Sequence, residues 1–152
     1  MKNAKGKIGN AECGASVTDS APPTRPSTTP RPPYDLSARL LAFAVRVGRT
    51  VNALPGTRLG RHVAAQLVRS GTSAAPNYEE GCAAESRADF VHKLSICLKE
   101  LRESRFWLRL IVESELLPAK RVADLQDESV HLCKILAQSL LTAKRKNRLQ
   151  QQ

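Results

Sequence analysis

The stretch SRADFVHKLSICLKELRESRFWLRLI, from Ser86 to Ile111, decides the fold. Phe90, Leu94, Cys97, Leu101, Ser104, Leu108 and Ile111 follow one another in steps of four and three, which puts apolar or small groups on one face of a helix for three heptads. Strand alternation is absent. Ser86, with Asp89 three positions on, resembles a capping box and marks where the helix starts.

Upstream, the spacing predicts two more helices. Asp35 is a plausible N-cap for the first, whose apolar positions are Leu36, Leu40, Phe43, Val47, Val51 and Leu54, with Pro55 and Gly56 as its stop. The second starts at the cap candidate Thr57 and turns Leu59, Val63 and Leu67 inward. Ser70, Gly71, Ser73 and Ala74 then permit close helix approach, and Pro76 should kink or break it. Downstream, Pro118 fits the first turn of a fourth helix with the inward stripe Val122, Leu125, Ser129, Leu132, Leu136, Leu140 and Ala143. Four amphipathic helices on short connections give an all-α, up-down-up-down four-helix bundle over residues 34–146.

Residues 1–33 hold six of the nine prolines among Ser and Thr and read as a disordered or polyproline-like arm; 147–152 reads as a short polar tail. With 152 residues, 41% hydrophobic, the chain has room for one domain. No apolar run reaches the roughly eighteen residues of a membrane span, and Ile8 to Val17 is too polar for a signal-peptide core. A cytoplasmic protein is expected. Cys13, Cys82, Cys97 and Cys133 lie too far apart for a metal knuckle or a disulfide framework and read as isolated buried thiols.

Net charge is +10. Residues 1–33 carry five basic and two acidic groups, and the end of the chain adds Lys144, Arg145, Lys146 and Arg148 with no acid. Between Asp35 and Tyr78 six arginines face one carboxylate, whereas 79–143 holds nine basic and eleven acidic groups. Arg39, Arg46 and Arg49 recur on one flank of the first helix, and Arg58, Arg61 and Arg69 follow on the second. These ten cations are the expected phosphate contacts for RNA or DNA. No recognition helix, zinc finger or RNP motif accompanies them, so sequence-specific readout is not expected.

The sharpest chemical candidate is a di-metal carboxylate site, because Glu128 with His131 and Asp89 with His92 are E-x-x-H and D-x-x-H pairs. At 100° per residue both histidines fall roughly 140–150° from their core stripes, and the first helix offers no carboxylate after Asp35. No serine or cysteine has a histidine placed to activate it. Gly56 to Arg61 lacks the lysine and spacing of a phosphate loop, and Asn77, Glu79 and Glu80 read as solvated polar groups. No catalytic residue, metal or other cofactor is expected. Outward on the first helix stand Leu41 and Val45, and on the third Phe106 and Leu110, with Trp107 at the margin; these predict self-association. An oligomeric scaffold for an acidic protein is the alternative, and a metal-dependent bundle enzyme the third reading.

QLVRSGTS at Gln66 to Ser73, Asn77, Glu80, SRADF at Ser86 to Phe90, and Leu98-Lys99-Glu100 together resemble the four-helix bundle proteins encoded by intervening sequences in bacterial 23S rRNA genes. The likeness covers about Asp35 to Lys146. It implies a ring-like homo-oligomer, a pentamer, without enzymatic activity. The family is similar to accessory proteins of diversity-generating retroelements, which implies binding to nucleic acid and to a reverse transcriptase or another nucleic-acid enzyme.

Overall fold

The structure, a computed structural model, describes residues 35–149, with side chains as far as Arg145. Four helices follow one another: α1 (Leu36–Asn52), α2 (Arg58–Cys82), α3 (Arg87–Glu113) and α4 (Ala119–Leu149). Three of their starts are held by the caps the sequence offers. Asp35 Oδ1 accepts from the Ala38 N–H at 3.1 Å, Thr57 Oγ1 from Gly60 at 3.0 Å, and Ser86 Oγ from Asp89 at 3.1 Å, each satisfying a donor that the first helical turn leaves open. The fourth helix begins one residue after Pro118, whose carbonyl accepts from Arg121 N–H.

Each helix packs on its chain neighbour, α1 and α4 close the circuit with the lightest contact, and neither diagonal pair meets. With connections of four or five residues this is the up-down-up-down bundle. Its core is the expected stripe: Leu40, Phe43, Val47, Val63, Leu67, Leu94, Cys97, Leu101, Leu108, Ile111, Val122, Leu132 and Leu136 are almost wholly buried. The small residues of α2 do what their size permits. A Cβ on Gly71 would sit 2.7 Å from Val47 Cγ1, so α1 rests directly on the α2 backbone there. On the other side of α2 the buried Ser70 hydroxyl donates to the Gln66 carbonyl at 3.0 Å, and the buried Ser104 hydroxyl has both Ser70 Oγ, at 3.0 Å, and the Glu100 carbonyl, at 2.9 Å, as acceptors for its one proton, so each buried hydroxyl has a partner.

Two expectations need correction. Pro76 neither breaks nor ends α2, which runs on to Cys82. Asn77 Nδ2 donates to the Ser73 carbonyl at 2.8 Å, adding a side-chain bond in the turn where proline removes a backbone one. Leu59 is exposed rather than inward, because the α1–α2 turn packs on Gly60 instead, where a Cβ would lie 2.1 Å from the Pro55 carbonyl oxygen. Helix α4 continues through Leu149. Leu98, outside the counted stripe, is buried where α3 faces α4.

The α3–α4 connection is a Schellman motif. Leu116 N–H donates to the Ile111 carbonyl and Glu115 N–H to Val112, with Glu115 at φ 53° in the left-handed position usually given to glycine. The motif brings Leu116 back over the last turn of α3. At the far end of the bundle Arg87 Nε donates to the Ala143 carbonyl at 3.3 Å and ties the start of α3 to the end of α4.

Candidate nucleic-acid interface

The cations expected as phosphate contacts are spread over the bundle. Arg39 faces α4, where its Nε and Nη2 donate to the two carboxylate oxygens of Glu128 at 3.0 and 2.8 Å. A bidentate pair of this kind fixes geometry, and it bridges the two helices that otherwise touch least. Arg39 is therefore a structural arginine. Arg69 is paired with Glu103 of α3, and Arg61 is turned back onto the Gly56 carbonyl. What remains on this side is Arg46, half-buried, with Arg49 and Arg58 exposed near the α1–α2 turn. Lys144 and Arg145 are exposed near the opposite end of the bundle. Counting residues either side of the Arg39–Glu128 contact at about 1.5 Å each puts Arg49 and Lys144 roughly 40 Å apart along the axis. The tail cluster thus receives no help from α1. The side chains of Lys146 and Arg148, like the arm over residues 1–33 and Cys13, lie outside the described residues.

A basic surface forms instead on α3, in the half of the chain whose net charge is negative. Arg102, Arg105 and Arg109, at i, i+3 and i+7, line a shallow recess of about 270 Å³ together with Phe106. All four are exposed, Phe106 by 56%. None of the three arginines has an ion pair among the described residues. Of the acids of the same helix, Asp89 and Glu113 are exposed near its two ends, and the two between them turn away from the recess. Glu103 meets Arg69 and accepts from Trp107 Nε1 at 3.2 Å on the flank facing α2, and Glu100 is partly buried, with Oε2 lacking a hydrogen-bond partner among the described residues. The i, i+3, i+7 spacing was the available signal; a charge count over the whole segment hides it.

The two outward apolar pairs have different settings. Leu41 and Val45, 61% and 48% exposed, lie in a groove of about 520 Å³ with Ala44, Thr72, Ala75 and Pro76, an apolar strip between α1 and α2. Leu110, expected to point outward, is half-buried and packs against the core, as does Leu116 of the Schellman turn. Trp107 is also half-buried, with its ring 5.6 Å from His62 and 5.0 Å from Phe106, edge-on to both. Phe106 is left as the one exposed apolar group of the expected α3 set, ringed by cations.

The candidate chemistry is dispersed. His92 and His131 are exposed, Glu128 is bonded to Arg39, and no group of three or more His, Cys, Asp or Glu among the described residues could hold a metal. Burial pushes the Cys97 thiol up to about 12, and raises Cys133 although the charges of Arg102 and Arg105 pull it the other way. Tyr78 is pushed up to about 12, first by burial and then by its hydrogen bond with Cys82. Cys82 itself is exposed, unlike the buried thiol expected: it is the last residue of α2, at an end the core does not cover. Among the described residues no helix is long and apolar enough to cross a membrane.

The family of 23S rRNA-intervening sequence proteins matches residues 36–138. The crystal structure of a protein of unknown function from the S23 ribosomal protein family of Bacteroides thetaiotaomicron VPI-5482 is similar at 32% identity and a TM-score of 0.65, covering 69% of this chain and 97% of that one. No curated protein matches.

Proposed function

This chain belongs to the 23S rRNA-intervening sequence protein family, and on that premise we propose that it is a homo-oligomeric binding module, not an enzyme, that holds RNA or DNA by its phosphates. The observation that carries this reading is the set of three unpaired arginines, Arg102, Arg105 and Arg109, on one face of α3. A guanidinium without a carboxylate keeps its affinity for phosphate, and three on adjacent turns address one strand. Lys144 and Arg145 extend the same chemistry at the end of α4. The absence of a groove-reading motif fits contacts to backbone rather than to base edges.

Self-association is assigned to the α1–α2 strip. Leu41 and Val45 carry no cation beside them in their groove, whereas Phe106 is surrounded by like charges that would oppose the approach of a second copy of the same face. Light scattering should find an oligomer at micromolar concentration, and Leu41→Glu with Val45→Glu should dissociate it while helical content stays.

The binding reading is tested by titrating unrelated RNA and DNA at several salt concentrations. Three phosphate contacts predict a contribution to the slope of log K against log salt of about −2 for single strands and nearer −3 for duplex. Replacing all three arginines by glutamine should remove that share. Binding that ignores salt, or no binding at low salt, refutes the reading.

A further inference from the structure

Resting on that reading, we infer that the Arg102–Arg105–Phe106–Arg109 surface is a single-strand site, in which one unpaired base stacks on Phe106 while the arginines hold the flanking phosphates. A purely electrostatic surface needs no aromatic group, whereas this recess has a phenylalanine in its lining beside the three arginines. Phe106 is the one exposed aromatic residue of α3 among the described residues, and it lines the same recess as the three arginines, flanking their stripe. Its ring is also held in place. Trp107, fixed by its own hydrogen bond to Glu103 and by the edge contact to His62, meets Phe106 edge-on at 5.0 Å and supports it from one side. A pre-positioned ring with cations at i−4, i−1 and i+3 supplies both halves of single-strand recognition: a sequence-tolerant stacking platform and charge that follows the backbone. Seven residues of helix separate Arg102 from Arg109, about 10 Å of axis, enough for a base and the phosphates on either side of it. In a duplex the base faces are already stacked on one another, so Phe106 has nothing to receive.

The experiment uses the full chain, with oligothymidylate and oligouridylate as single-strand probes and a duplex of equal length. Phe106→Ala should weaken the single-strand probes about tenfold, the effect of losing one stacked base, and change duplex affinity less than twofold. Phe106→Tyr, which keeps the ring, should retain single-strand affinity. Emission from Trp107, the sole tryptophan of the chain, should change when the single strands bind to the wild type. If Phe106→Ala leaves single-strand affinity intact while glutamines at the three arginines lower it, the stacking site is wrong and backbone binding stands. If no probe binds at low salt, the functional reading itself is wrong. A change of oligomeric state with Phe106→Ala, or equal and Phe106-independent binding of polyglutamate, would instead make this face a protein contact and overturn the inference.

Discussion

The two flanks of α3 carry the same kinds of charged residue and put them to opposite uses. Toward α2, Lys93 meets Glu80 at 2.5 Å and Glu103 meets Arg69, so these charges are answered by the neighbouring helix, and Trp107 of α3 itself also donates to Glu103. Toward α4 and solvent, Arg102, Arg105 and Arg109 are answered by nothing among the described residues. The sign of a segment's net charge therefore says little about its binding surface. What matters is which charges the fold has already paired, because an ion pair has given up most of its attraction for a phosphate.

The largest effect comes from the core on which both flanks depend. Leu101 is fully buried between them, and Leu101→Ala should cost about 2–5 kcal/mol, the removed methyls plus the cavity left behind. Denaturant unfolding measures it. The salt slope of the remaining folded protein should be unchanged, since no phosphate contact is touched.

The next effect separates paired from unpaired arginines. Arg39→Gln removes a bidentate partner from the half-buried Glu128 and should cost about 1 kcal/mol, toward the upper end for an ion pair this exposed. It should leave the salt slope unaltered. Arg105→Gln should do the reverse, shifting the slope by about one contact with stability within about 0.5 kcal/mol. Equal salt slopes for the two variants would break the distinction drawn between the flanks.

The bundle was legible in the sequence because its signals are local: stripes of period 3.6, caps at Asp35, Thr57 and Ser86, and small residues on α2 where Val47 comes close. The surface was not, because pairing is a tertiary fact. Arg39 and Glu128 are far apart in sequence, and Arg69 finds Glu103 only once α2 lies on α3. Leu110 misled for a similar reason. A helical wheel takes no account of what packs around the end of a helix, and Leu110, on the outer face by angle, is half-buried against the core. The three arginines on α3 were visible as a spacing but were averaged away by the eleven acids of residues 79–143.

A smaller effect reports on the unpaired flank from beneath. The charges of Arg102 and Arg105 pull the Cys133 thiol down against the lifting effect of burial. Removing both by glutamine should raise Cys133 further, reducing its thiolate fraction at a given pH and slowing its reaction with a disulfide reagent. A bound polyanion should slow it in the same direction by neutralising the same charges. An unchanged rate in both cases would place the arginines too far from Cys133 to act on it.

The smallest expected effect tests whether pairing or position silences a cation. Glu103→Gln removes the carboxylate that Arg69 now meets while keeping a side chain that can still accept from Trp107. Both partners are substantially exposed, so the pair contributes little to stability and the variant should unfold within about 0.5 kcal/mol of the wild type. Arg69 then becomes an unpaired guanidinium on the flank facing α2. If pairing is what withdraws a cation from phosphate, affinity for single strands and duplex should both rise modestly, and the salt slope should steepen by at most one contact, about 0.7–0.9. Arg102, Arg105 and Arg109 would keep their share, so the Phe106-dependent preference for single strands should be unchanged. Unchanged affinity and slope would mean that the α2 flank is closed to nucleic acid by its place in the assembly, and the contrast between the flanks would then be one of geometry rather than of charge pairing.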